Sequence, residues 1–424
     1  MPTFEHVACT VCGCVCDDLT VTTDQEKIVA VTKACHLAEP WFLQQNQQHP
    51  PISQILGESV SLEAALERAA EILRTAKSPL IYGLSRSTTE GQRAAIALAE
   101  KLGATIDTTA ATGHAVSLMA LQQVGESTCT LGEVRNRADL VIYWGSDPME
   151  THPRHLERYS VEPKGRFVPN GKTDRYVLMA DTKETQSTPH ADEFLKIEPN
   201  RDWEVLWTLR GLIRGIEPNT PNVGADLSQL RRLAERMKGC RFGIVFFGAG
   251  LTRQPVGHRV VEALLQLTSE LNDFTRFYAR RMRRLGDVAG ADSVLTWQTG
   301  YPFAVNFALG YPRYNPGEFS APEMLARKEV DACLLVGSET TSEFSSPALE
   351  HLRRIPTIAL ETPLTESIIP PTVRFTTAVY GVHRPGTAYR MDEIPIPLRV
   401  LLPTEYPSDG EILTRLLEMV SDSK

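Results

Sequence analysis

The chain has 424 residues, of which 42% are hydrophobic and 23% are charged, and its formal net charge at pH 7 is −8. This composition is typical of a globular protein with two or three domains, and it excludes a disordered chain or a disulfide-dense secreted scaffold. The acidic balance argues against nucleic-acid binding, which needs a basic surface. No apolar stretch has the length of a membrane span, and the N-terminus lacks the pattern of a secretory signal. We therefore expect a cytoplasmic protein without nucleic-acid or membrane partners.

Cysteine is concentrated at the N-terminus, where five of the eight cysteines fall within the first 35 residues. Cys9, Cys12, Cys16 and Cys35 follow the spacing C-x2-C-x3-C-x18-C, and Cys14 lies between the second and the third. In a cytoplasmic chain such a group is more typical of a metal site than of disulfides. Four thiolates suit a [4Fe–4S] cluster, which we favour, and the alternatives are a segment without metal and a tetrahedral zinc site. Cys14 could replace a neighbour as ligand.

Downstream of the cysteine segment, short apolar runs alternate with helical patterns, as in a parallel α/β protein. The predicted strands cover 79–83, 139–144, 176–180, 242–247, 331–336 and 357–360. The predicted helices cover 90–102, 256–271, 410–420 and a segment that begins after Ser61 as its N-cap. Each strand is followed by small or polar residues. Ligands bind beyond the carboxyl ends of strands in open α/β sheets, so these ends are candidate pocket walls, although tight turns favour the same residue types.

The order of these elements predicts an α/β fold divided into four consecutive segments. The first is a cysteine module over residues 1–50, which ends in a Gln- and Pro-bearing linker. Two α/β domains over 51–200 and 201–395 follow, and a C-terminal helix with its tail covers 396–424.

Several blocks of sequence resemble one known family. They are Leu-Gln-Gln-Val-Gly and the residues around it in 120–145, Thr-Trp-Gln-Thr-Gly-Tyr-Pro-Phe in 290–306, and the segments 310–318 and 386–392. Together with the cysteine spacing, they resemble the B subunit of formylmethanofuran dehydrogenase, a relative of the molybdopterin oxidoreductases. The resemblance implies several parallel-sheet, Rossmann-like domains of that type, with a small N-terminal cysteine module. It also implies partner subunits in a complex.

The family that this chain resembles occurs in two versions. In the dehydrogenase, this subunit holds tungsten or molybdenum on two pterin dinucleotides beside a [4Fe–4S] cluster, and it interconverts carbon dioxide and formate. In the bacterial formyltransferase/hydrolase complex, the B subunit has lost the redox role, and another subunit releases the formyl group as formate. Both versions serve one-carbon metabolism linked to tetrahydromethanopterin and methanofuran.

One stretch distinguishes the two versions. The dehydrogenase has a Cys or selenocysteine ligand in a Cys-His-Gly-Pro-like stretch before the Leu-Gln-x-Val-Gly block, whereas this chain reads Thr-Ala-Ala-Thr-Gly-His-Ala-Val-Ser-Leu over 109–118. Thr112 or a neighbour stands where the sulfur ligand should be, and His114 is nearby. A hydroxyl is a poor substitute for a soft thiolate ligand.

We therefore predict a mainly structural B subunit of a formyltransferase/hydrolase complex. The prediction includes the other subunits of that complex as partners and a [4Fe–4S] cluster on Cys9, Cys12, Cys16 and Cys35. It includes neither a tungsten or molybdenum bis-pterin nor a catalytic residue. The alternative is a catalytic tungsten- or molybdenum-pterin subunit of formylmethanofuran dehydrogenase, which the four retained cysteines favour.

The resemblance also implies cofactor-binding positions outside the cysteine module. They are Trp297, Gln298 and Asn306, whose aromatic and amide groups suit a pocket wall, and Gly145 and Asp181, which follow predicted strands. Ordinary core packing is the alternative for the aromatic and amide groups, since buried aromatic residues often need a polar partner. Tight turns are the alternative for Gly145 and Asp181.

Two further groups of charged or titratable residues need an interpretation. Four arginines within 280–284 could grip the phosphates of a pterin dinucleotide, but a solvated helix face or a subunit contact is slightly favoured. His152 and His155 could share one helix face and bind a metal. Two histidines without a third ligand nearby are more typical of a structural role.

Overall fold

The computed structural model describes residues 1–421. Within them, nineteen strands alternate with helices along the chain. The strands are β1 (Thr3–Val7), β2 (Leu19–Asp24), β3 (Lys27–Thr32), β4 (Ser53–Ile55), β5 (Glu58–Ser59), β6 (Pro79–Gly83), β7 (Thr105–Thr108), β8 (Leu140–Trp144), β9 (Tyr176–Asp181), β10 (Glu193–Lys196), β11 (Gly243–Phe247), β12 (Phe277–Arg281), β13 (Val305–Asn306), β14 (Arg313–Tyr314), β15 (Ala332–Val336), β16 (Thr357–Glu361), β17 (Val373–Thr376), β18 (Gly386–Tyr389) and β19 (Pro395–Leu398).

Fifteen α-helices connect or flank these strands in the same residues. They are α1 (Ala38–Leu43), α2 (Leu62–Thr75), α3 (Thr89–Leu102), α4 (Ala110–Gly113), α5 (Ala115–Val124), α6 (Leu131–Arg137), α7 (Pro148–Thr151), α8 (Asp202–Ile213), α9 (Leu227–Gly239), α10 (Ala249–Thr252), α11 (Gly257–Leu271), α12 (Val288–Thr299), α13 (Ala321–Ala326), α14 (Ser346–Leu352) and α15 (Asp409–Ser421). Short 3₁₀ or π-helical turns cover Leu156–Ser160, Gly171–Asp174, Thr188–His190 and Ser338–Glu343.

Local sequence signals explain where several helices begin and end. Helix α2 begins after Ser61, as predicted, because the Ser61 hydroxyl accepts a hydrogen bond from the backbone N–H of Ala64 at 3.3 Å. Helix α6 begins with a capping box, in which Thr130 and Glu133 each accept from the other's backbone N–H. Helix α3 ends at Gly103, whose left-handed conformation, with φ +66°, favours glycine.

The described chain forms two compact units, and the second is inserted into the first. Unit 1 comprises residues 1–112 and 285–424, and unit 2 comprises Gly113–Arg284. This division does not follow the four consecutive segments predicted from the sequence. Strands and helices alternate in the same manner in both units. The amino-acid composition therefore does not change where the chain leaves unit 1 or where it returns to unit 1.

Unit 1 is built on a nine-stranded sheet with the order β14-β13-β7-β6-β15-β16-β17-β4-β5. The five central strands are parallel, and antiparallel pairs form the two edges. Gly83 of β6 pairs with Val336 of β15, which pairs with Leu360 of β16, so the carboxyl ends of these strands lie side by side. Helices α2, α3, α12 and α15 contribute to a common apolar core with this sheet.

The cysteine module is an integral part of unit 1. Its strands β1, β2 and β3 form an antiparallel sheet. Its apolar side chains pack against the C-terminal part of the chain in one cluster that includes Ala8, Val15, Tyr380 and Leu398. The backbone N–H of Met391 also donates to the carbonyl of Gly13 at 2.8 Å. Residues from both ends of the sequence therefore form the surroundings of the cysteine segment.

Unit 2 is built on an all-parallel sheet with the order β10-β9-β8-β11-β12. Its central strand β8 is buried at every position, which explains its continuous apolar sequence. Helices α5, α8, α9 and α11 contribute to the main apolar core of this unit. The two sheets confirm the predicted α/β class with parallel sheets, and the predicted strands 79–83, 139–144, 176–180, 242–247, 331–336 and 357–360 are present with ends shifted by at most one residue.

The arginine cluster does not lie on a solvated helix face, one of the two interpretations that the sequence slightly favours. Arg280 and Arg281 end the strand β12, and together with Arg283 they are almost completely buried. The guanidinium of Arg280 donates to the carbonyl of Cys129 at 2.9 Å and to the hydroxyl of Thr128 at 2.7 Å. The physical reason is that parallel strands buried on both faces accept long side chains when their charged ends find internal acceptors.

None of the helices within residues 1–421 combines the length and the apolar character needed to cross a lipid bilayer.

Candidate functional site

The cysteine segment folds into a buried turn in unit 1. Cys9, Cys12, Cys14 and Cys16 are all at most 8% exposed, and Cys35 is half-buried. Two backbone hydrogen bonds close the turn, from the N–H of Cys9 to the carbonyl of Cys16 at 2.8 Å and from the N–H of residue 15 to the carbonyl of Cys12 at 3.1 Å. We refer to these five cysteines as the cysteine pocket.

The electrostatics of this pocket keep free thiols in their neutral form. Burial raises the pKa of Cys9 well above its ordinary value, and the neighbouring Cys12 and Cys16 raise it further. Burial also raises the pKa of Cys35, with smaller contributions from the same two cysteines, although the amides of residues 37 and 38 oppose the change. Several thiolates in this space would need a bound cation to compensate their charge.

The cysteine pocket offers only sulfur donors, the donor type that an iron–sulfur cluster requires. All donors are sulfur atoms, and Cys9, Cys12, Cys16 and Cys35 interact electrostatically with one another. Backbone amides already point at the sulfurs of Cys9 and Cys35, and such hydrogen bonds stabilise thiolate ligands. Within residues 1–421, no three His, Cys, Asp or Glu side chains are placed to hold a single metal ion.

The carboxyl ends of the parallel strands in unit 1 carry a second group of polar residues. The hydroxyl of Tyr82, near the end of β6, lies 3.5 Å from the Thr112 hydroxyl, which also contacts the carbonyl of Thr109 at 3.3 Å. Ser85 hydrogen-bonds to the Thr109 side chain. Burial raises the pKa of Tyr82 well above its usual value, so this hydroxyl remains protonated and can donate to Thr112.

Arg86 connects this strand edge with the cysteine turn. Its guanidinium lies 3.5 Å from the carbonyl of Thr10, the residue after Cys9, and 3.4 Å from the carboxylate of Glu339. Arg86 follows β6 and Glu339 follows β15, two neighbouring strands of the sheet. The parallel sheet therefore brings a cation, a carboxylate and the cysteine turn together in unit 1.

Two buried carboxyl groups at the same edge of the sheet have structural partners. Asp107 in β7 accepts from the backbone N–H groups of Ala321 at 2.7 Å and Ala304 at 2.9 Å, and burial raises its pKa to about 8. Glu361, which ends β16 and is 1% exposed, forms an ion pair with Arg374, with 2.8 Å between the Nε atom and a carboxylate oxygen, and it accepts hydrogen bonds from two serine hydroxyls. These contacts hold the ends of the strands in place.

The segment that should carry the sulfur ligand has no sulfur atom. Thr112 lies in α4 and is half-buried, and His114 is the N-cap of α5. In a Cys-His-Gly-Pro motif the cysteine directly precedes the histidine, and here that place belongs to Gly113. A Cβ atom on Gly113 would meet no described atom within 4 Å, so a larger side chain fits there.

The predicted cofactor residues of unit 1 have different environments. Trp297 is 60% exposed and contacts Tyr389 edge to face, with ring centroids 5.6 Å apart, and Gln298 is exposed beside it. Asn306 is buried in β13, where its side chain donates to Thr105 at 2.8 Å and accepts from Arg313 at 2.6 Å. Asn306 therefore stabilises an edge of the sheet, while Trp297 and Gln298 lie on the surface of the chain.

The predicted cofactor residues of unit 2 lie side by side. The N–H of Gly145, after β8, donates to the carbonyl of Ala180 at 2.9 Å, and Asp181 is the next residue of β9. Gly145 has φ +56° and touches the Gly250 backbone, so a side chain there would overlap its neighbour. Glycine at position 145 therefore allows the backbone segments that follow β8 and β11 to approach each other closely.

Both candidate histidines are buried with structural contacts. The Nε2–H of His152 donates to the carbonyl of Arg283 at 2.6 Å, and His155 Nδ1 lies 2.7 Å from the hydroxyl of Tyr143. Burial lowers the pKa of His152 to about 4, so this ring is neutral at physiological pH. These contacts agree with the structural interpretation of the two histidines.

Sequence reasoning did not single out Arg86 or Asp202. Asp202 in α8 is buried and accepts from the indole N–H of Trp144 at 2.7 Å and from Gln254 at 2.5 Å. A signal was present for Arg86, because it lies three residues after a predicted strand. Asp202 is distant from both of its partners in sequence, so no local pattern indicates its position.

Sequence comparisons with known proteins identify relatives, and two of these match over nearly the whole chain. The chain is 39% identical to the B subunit of the tungsten-containing formylmethanofuran dehydrogenase 2 of Methanocaldococcus jannaschii, over 99% of this chain and 98% of that protein. It is 36% identical to the protein of the same description from Methanococcus maripaludis, over the full length of both. The B subunit of the formyltransferase/hydrolase complex of Methylorubrum extorquens is 25% identical over 67% of this chain and 74% of that protein. No family model matches the chain.

Solved structures with the same fold agree with these relatives. The X-ray structure of the formyltransferase/hydrolase complex of Methylorubrum extorquens with methylofuran matches with a TM-score of 0.72 and 22% identity, over 87% of this chain and 99% of that one. Acetylene hydratase from Pelobacter acetylenicus matches with a TM-score of 0.69 and 11% identity, over 98% of this chain and 69% of that one. These two likenesses show the fold, and the whole-chain identities show the family. The chain belongs to the family of formylmethanofuran dehydrogenase B subunits.

Proposed function

We propose that this B subunit has a mainly structural role in a formyltransferase/hydrolase-type complex that produces formate in methanofuran-linked one-carbon metabolism. One observation carries the proposal: neither Thr112 nor Gly113 offers the sulfur that would bind tungsten or molybdenum. A neutral hydroxyl does not replace a thiolate toward such a metal. Hydrolysis of the formyl group then belongs to another subunit, and the present chain organises the assembly.

The cysteine pocket has a defined place in this proposal. Cys9, Cys12, Cys16 and Cys35 would hold a [4Fe–4S] cluster, which supplies one-electron transfer when it is bound and cross-links the segments that carry its ligands. The chain's own contribution is to exclude water from the sulfurs and to orient amides toward them. Because the pocket also packs on the C-terminal part of unit 1, a cluster there stabilises the fold even without redox turnover.

A catalytic tungsten- or molybdenum-pterin subunit is the second candidate function. The relatives named as tungsten-containing match the whole chain at 39% and 36% identity, whereas the formyltransferase/hydrolase relative matches 67% of it at 25%. A structural subunit also has less reason to keep four buried thiols. This candidate requires a metal ligand other than the missing sulfur.

Elemental analysis of the natively purified complex separates the two candidates. The structural role predicts no stoichiometric tungsten or molybdenum and no formate oxidation with an artificial dye as electron acceptor. Iron near four atoms per chain without either heavy metal supports a structural cluster. Tungsten or molybdenum near one atom per chain, together with dye-linked formate oxidation, would refute the structural role.

Partner subunits and compartment follow from the same proposal. Affinity purification of the tagged full chain under native conditions is expected to recover the other subunits of the complex in fixed proportion. We place the complex in the cytoplasm, because free thiols and thiolate-bound clusters persist in a reducing compartment. Recovery of the chain as a monomer, with no partner in stoichiometric amount, would contradict this assignment.

A further inference from the structure

We propose that the groove between α8 and α11 of unit 2 is a docking surface for another subunit of the complex, which inserts a large apolar side chain flanked by carboxylates. The inference rests on the proposed assembly with partner subunits and applies to both candidate functions. The groove has a volume of about 410 Å³, and its lining includes Trp203, Trp207, Val256, Arg259 and Ala263.

Two tryptophans of α8 form an apolar wall of the groove. Trp203 and Trp207 lie one helical turn apart, with ring centroids separated by 5.6 Å, and each is almost half exposed. Another face of α8, with Val205, Leu206 and Leu209, already fills the core of the unit. Large aromatic residues that are left exposed together are typical of protein interfaces, in which tryptophan supplies much of the binding energy.

An arginine holds one of these indoles in a fixed position. The guanidinium carbon of Arg210 lies 4.0 Å from the centre of a ring of Trp207. The same guanidinium donates from two nitrogens to the carboxylate of Glu270 in α11, with 2.6 Å between Nη2 and the nearer oxygen. Because its neighbours already fix its orientation, Trp207 loses little conformational freedom when a partner binds. A preorganised surface of this kind favours tight association.

The turn before α11 accepts backbone strain in order to place an apolar side chain at the groove. Val256 is the N-cap of α11 and has the left-handed conformation, with φ +52°. A β-branched residue is unfavourable in this conformation, and an N-cap usually carries Ser, Thr, Asp or Asn. Val256 makes no side-chain cap and is 63% exposed. Strain that the fold does not need is an indication of function.

The charges beside the groove indicate which partner fits it. Arg214 forms an ion pair with Glu270 at 2.8 Å, and Arg259 forms one with Glu262 at 2.6 Å. The two arginine side chains are 56% and 59% exposed, whereas the two glutamates are only 13% and 19% exposed. These pairs therefore present positive charge to the solvent, although the net charge of the chain is −8. A partner with carboxylates beside its apolar side chain is complementary to this surface.

The test uses the complex, purified natively through an affinity tag on the full chain. Mass photometry of a dilution series gives the apparent dissociation constant of the chain from its partner subunits. Trp207→Ser removes an indole from the groove, and Val256→Gly removes an apolar side chain together with the backbone strain. Phe167→Ser is the matched control, because Phe167 is also a partly exposed aromatic residue of unit 2 with an arginine stacked on it.

We expect the dissociation constant to rise at least about tenfold in Trp207→Ser, about fivefold in Val256→Gly and less than about twofold in Phe167→Ser. The free full chain of Val256→Gly should unfold at the wild-type temperature or above it, because glycine adopts a positive φ without strain. Weaker assembly of this variant then cannot come from a less stable fold. An unchanged dissociation constant in Val256→Gly, or in a folded Trp207→Ser, would overturn the inference.

A charge reversal tests the chemistry of the partner. The double variant Arg214→Glu with Arg259→Glu should weaken assembly more at low salt than at high salt, because salt screens the attraction between exposed charges. A double variant that assembles as tightly as the wild type at low salt would refute the requirement for partner carboxylates.

Footprinting locates the docked surface directly. Oxidative footprinting with mass spectrometry should show less oxidation of Trp203 and Trp207 in the wild-type complex than in the free full chain, and equal oxidation would refute docking at the groove. Dimerisation of the free full chain that Trp207→Ser abolishes would assign the groove to a second copy and overturn the inference. Binding of the free full chain to phosphatidylglycerol vesicles that Trp207→Ser abolishes would assign it to a membrane, with the same consequence.

The outcome for the wild type separates this inference from the proposed function. A wild-type chain recovered without partner subunits would contradict the proposed assembly and the inference together. A wild-type complex whose groove variants dissociate no more readily would overturn the inference alone. The tungsten and molybdenum analysis does not depend on either result.

Discussion

Acid should destabilise this protein through a buried histidine whose environment opposes protonation. His152 is completely buried in unit 2, and its Nε2–H donates to the carbonyl of Arg283 at 2.6 Å. Burial lowers its pKa from 6.5 to about 4, with the nearby positive charge of Arg284 as a further cause. The perturbation is a decrease in pH, compared between the wild type and His152→Gln, whose amide can still donate to the carbonyl.

The sign and size of the effect follow from proton linkage. In the unfolded chain, His152 binds a proton as the pH falls through 6.5. In the folded chain, its imidazole stays unprotonated until about pH 4. The free energy of unfolding contributed by His152 is therefore complete above the unfolded pKa and is lost as the pH falls. The loss is about 2 kcal/mol at about pH 5 and approaches about 3 kcal/mol below the folded pKa.

Urea denaturation at a series of pH values, followed by tryptophan fluorescence, measures this dependence. Burial also lowers the pKa of His383 to about 4, so His383→Gln should remove a similar contribution and the double variant should remove both. His49→Gln, at an exposed position, controls for the substitution itself. If His152→Gln loses as much unfolding free energy in acid as the wild type, the assignment of the effect to His152 is refuted.

Three further substitutions test the packing around the candidate site. Gly286→Ala places a Cβ against the carbonyl of Thr10, so it should displace the cysteine turn, cost about 1–3 kcal/mol in urea denaturation and lower the iron content. Arg374→Met removes the cation from the buried carboxylate of Glu361 and should cost about 3–5 kcal/mol in the same assay. Gly113→Cys should stay within about 1 kcal/mol of the wild type in thermal unfolding, because its Cβ has open space.

Controls for these substitutions are available in the same chain. Gly239→Ala adds a Cβ that meets no described atom within 4 Å, and it should be neutral. Arg231→Met breaks an exposed ion pair with Glu217 and should cost about 1 kcal/mol or less. A Gly286→Ala protein as stable as the wild type, or an Arg374→Met protein no weaker than the Arg231→Met control, would contradict the packing argument.

The elements of the fold that were predictable are those with a local cause. Strand β8 is an uninterrupted apolar run, and α3 begins at a capping threonine and ends at Gly103. Strand β12 was missed because its sequence, Phe-Tyr-Ala-Arg-Arg, ends in two arginines whose acceptors lie far away in the chain. The insertion of unit 2 into unit 1 was missed because it depends on long-range contacts.

The features of the candidate site also fall into two groups: those with a local cause in the sequence, and those that depend on residues distant in the chain. The cysteine spacing and the absence of sulfur over 109–118 are visible in the sequence, because residues that share one turn are close in the chain. The role of Arg86 depends on its contacts with Thr10 and Glu339, which lie on other segments, and only the sheet brings these residues together. Trp297 had an aromatic signature for a pocket or a core, yet it is exposed, since its position on the surface of α12 has no local mark.

The cysteine pocket and the sulfur-free turn at Thr112 and Gly113 are held by separate contacts. The pocket is held by contacts between the N-terminal turn and residues 380–398, whereas the turn at Thr112 and Gly113 depends on contacts with the ends of β6 and β7. A Cβ at Gly113 has open space, so the architecture accepts a thiol there and does not exclude it. The absence of sulfur therefore changes the chemistry available at this position and is not imposed by the fold. For the same reason, the retained pocket does not by itself require that the subunit still oxidises formate.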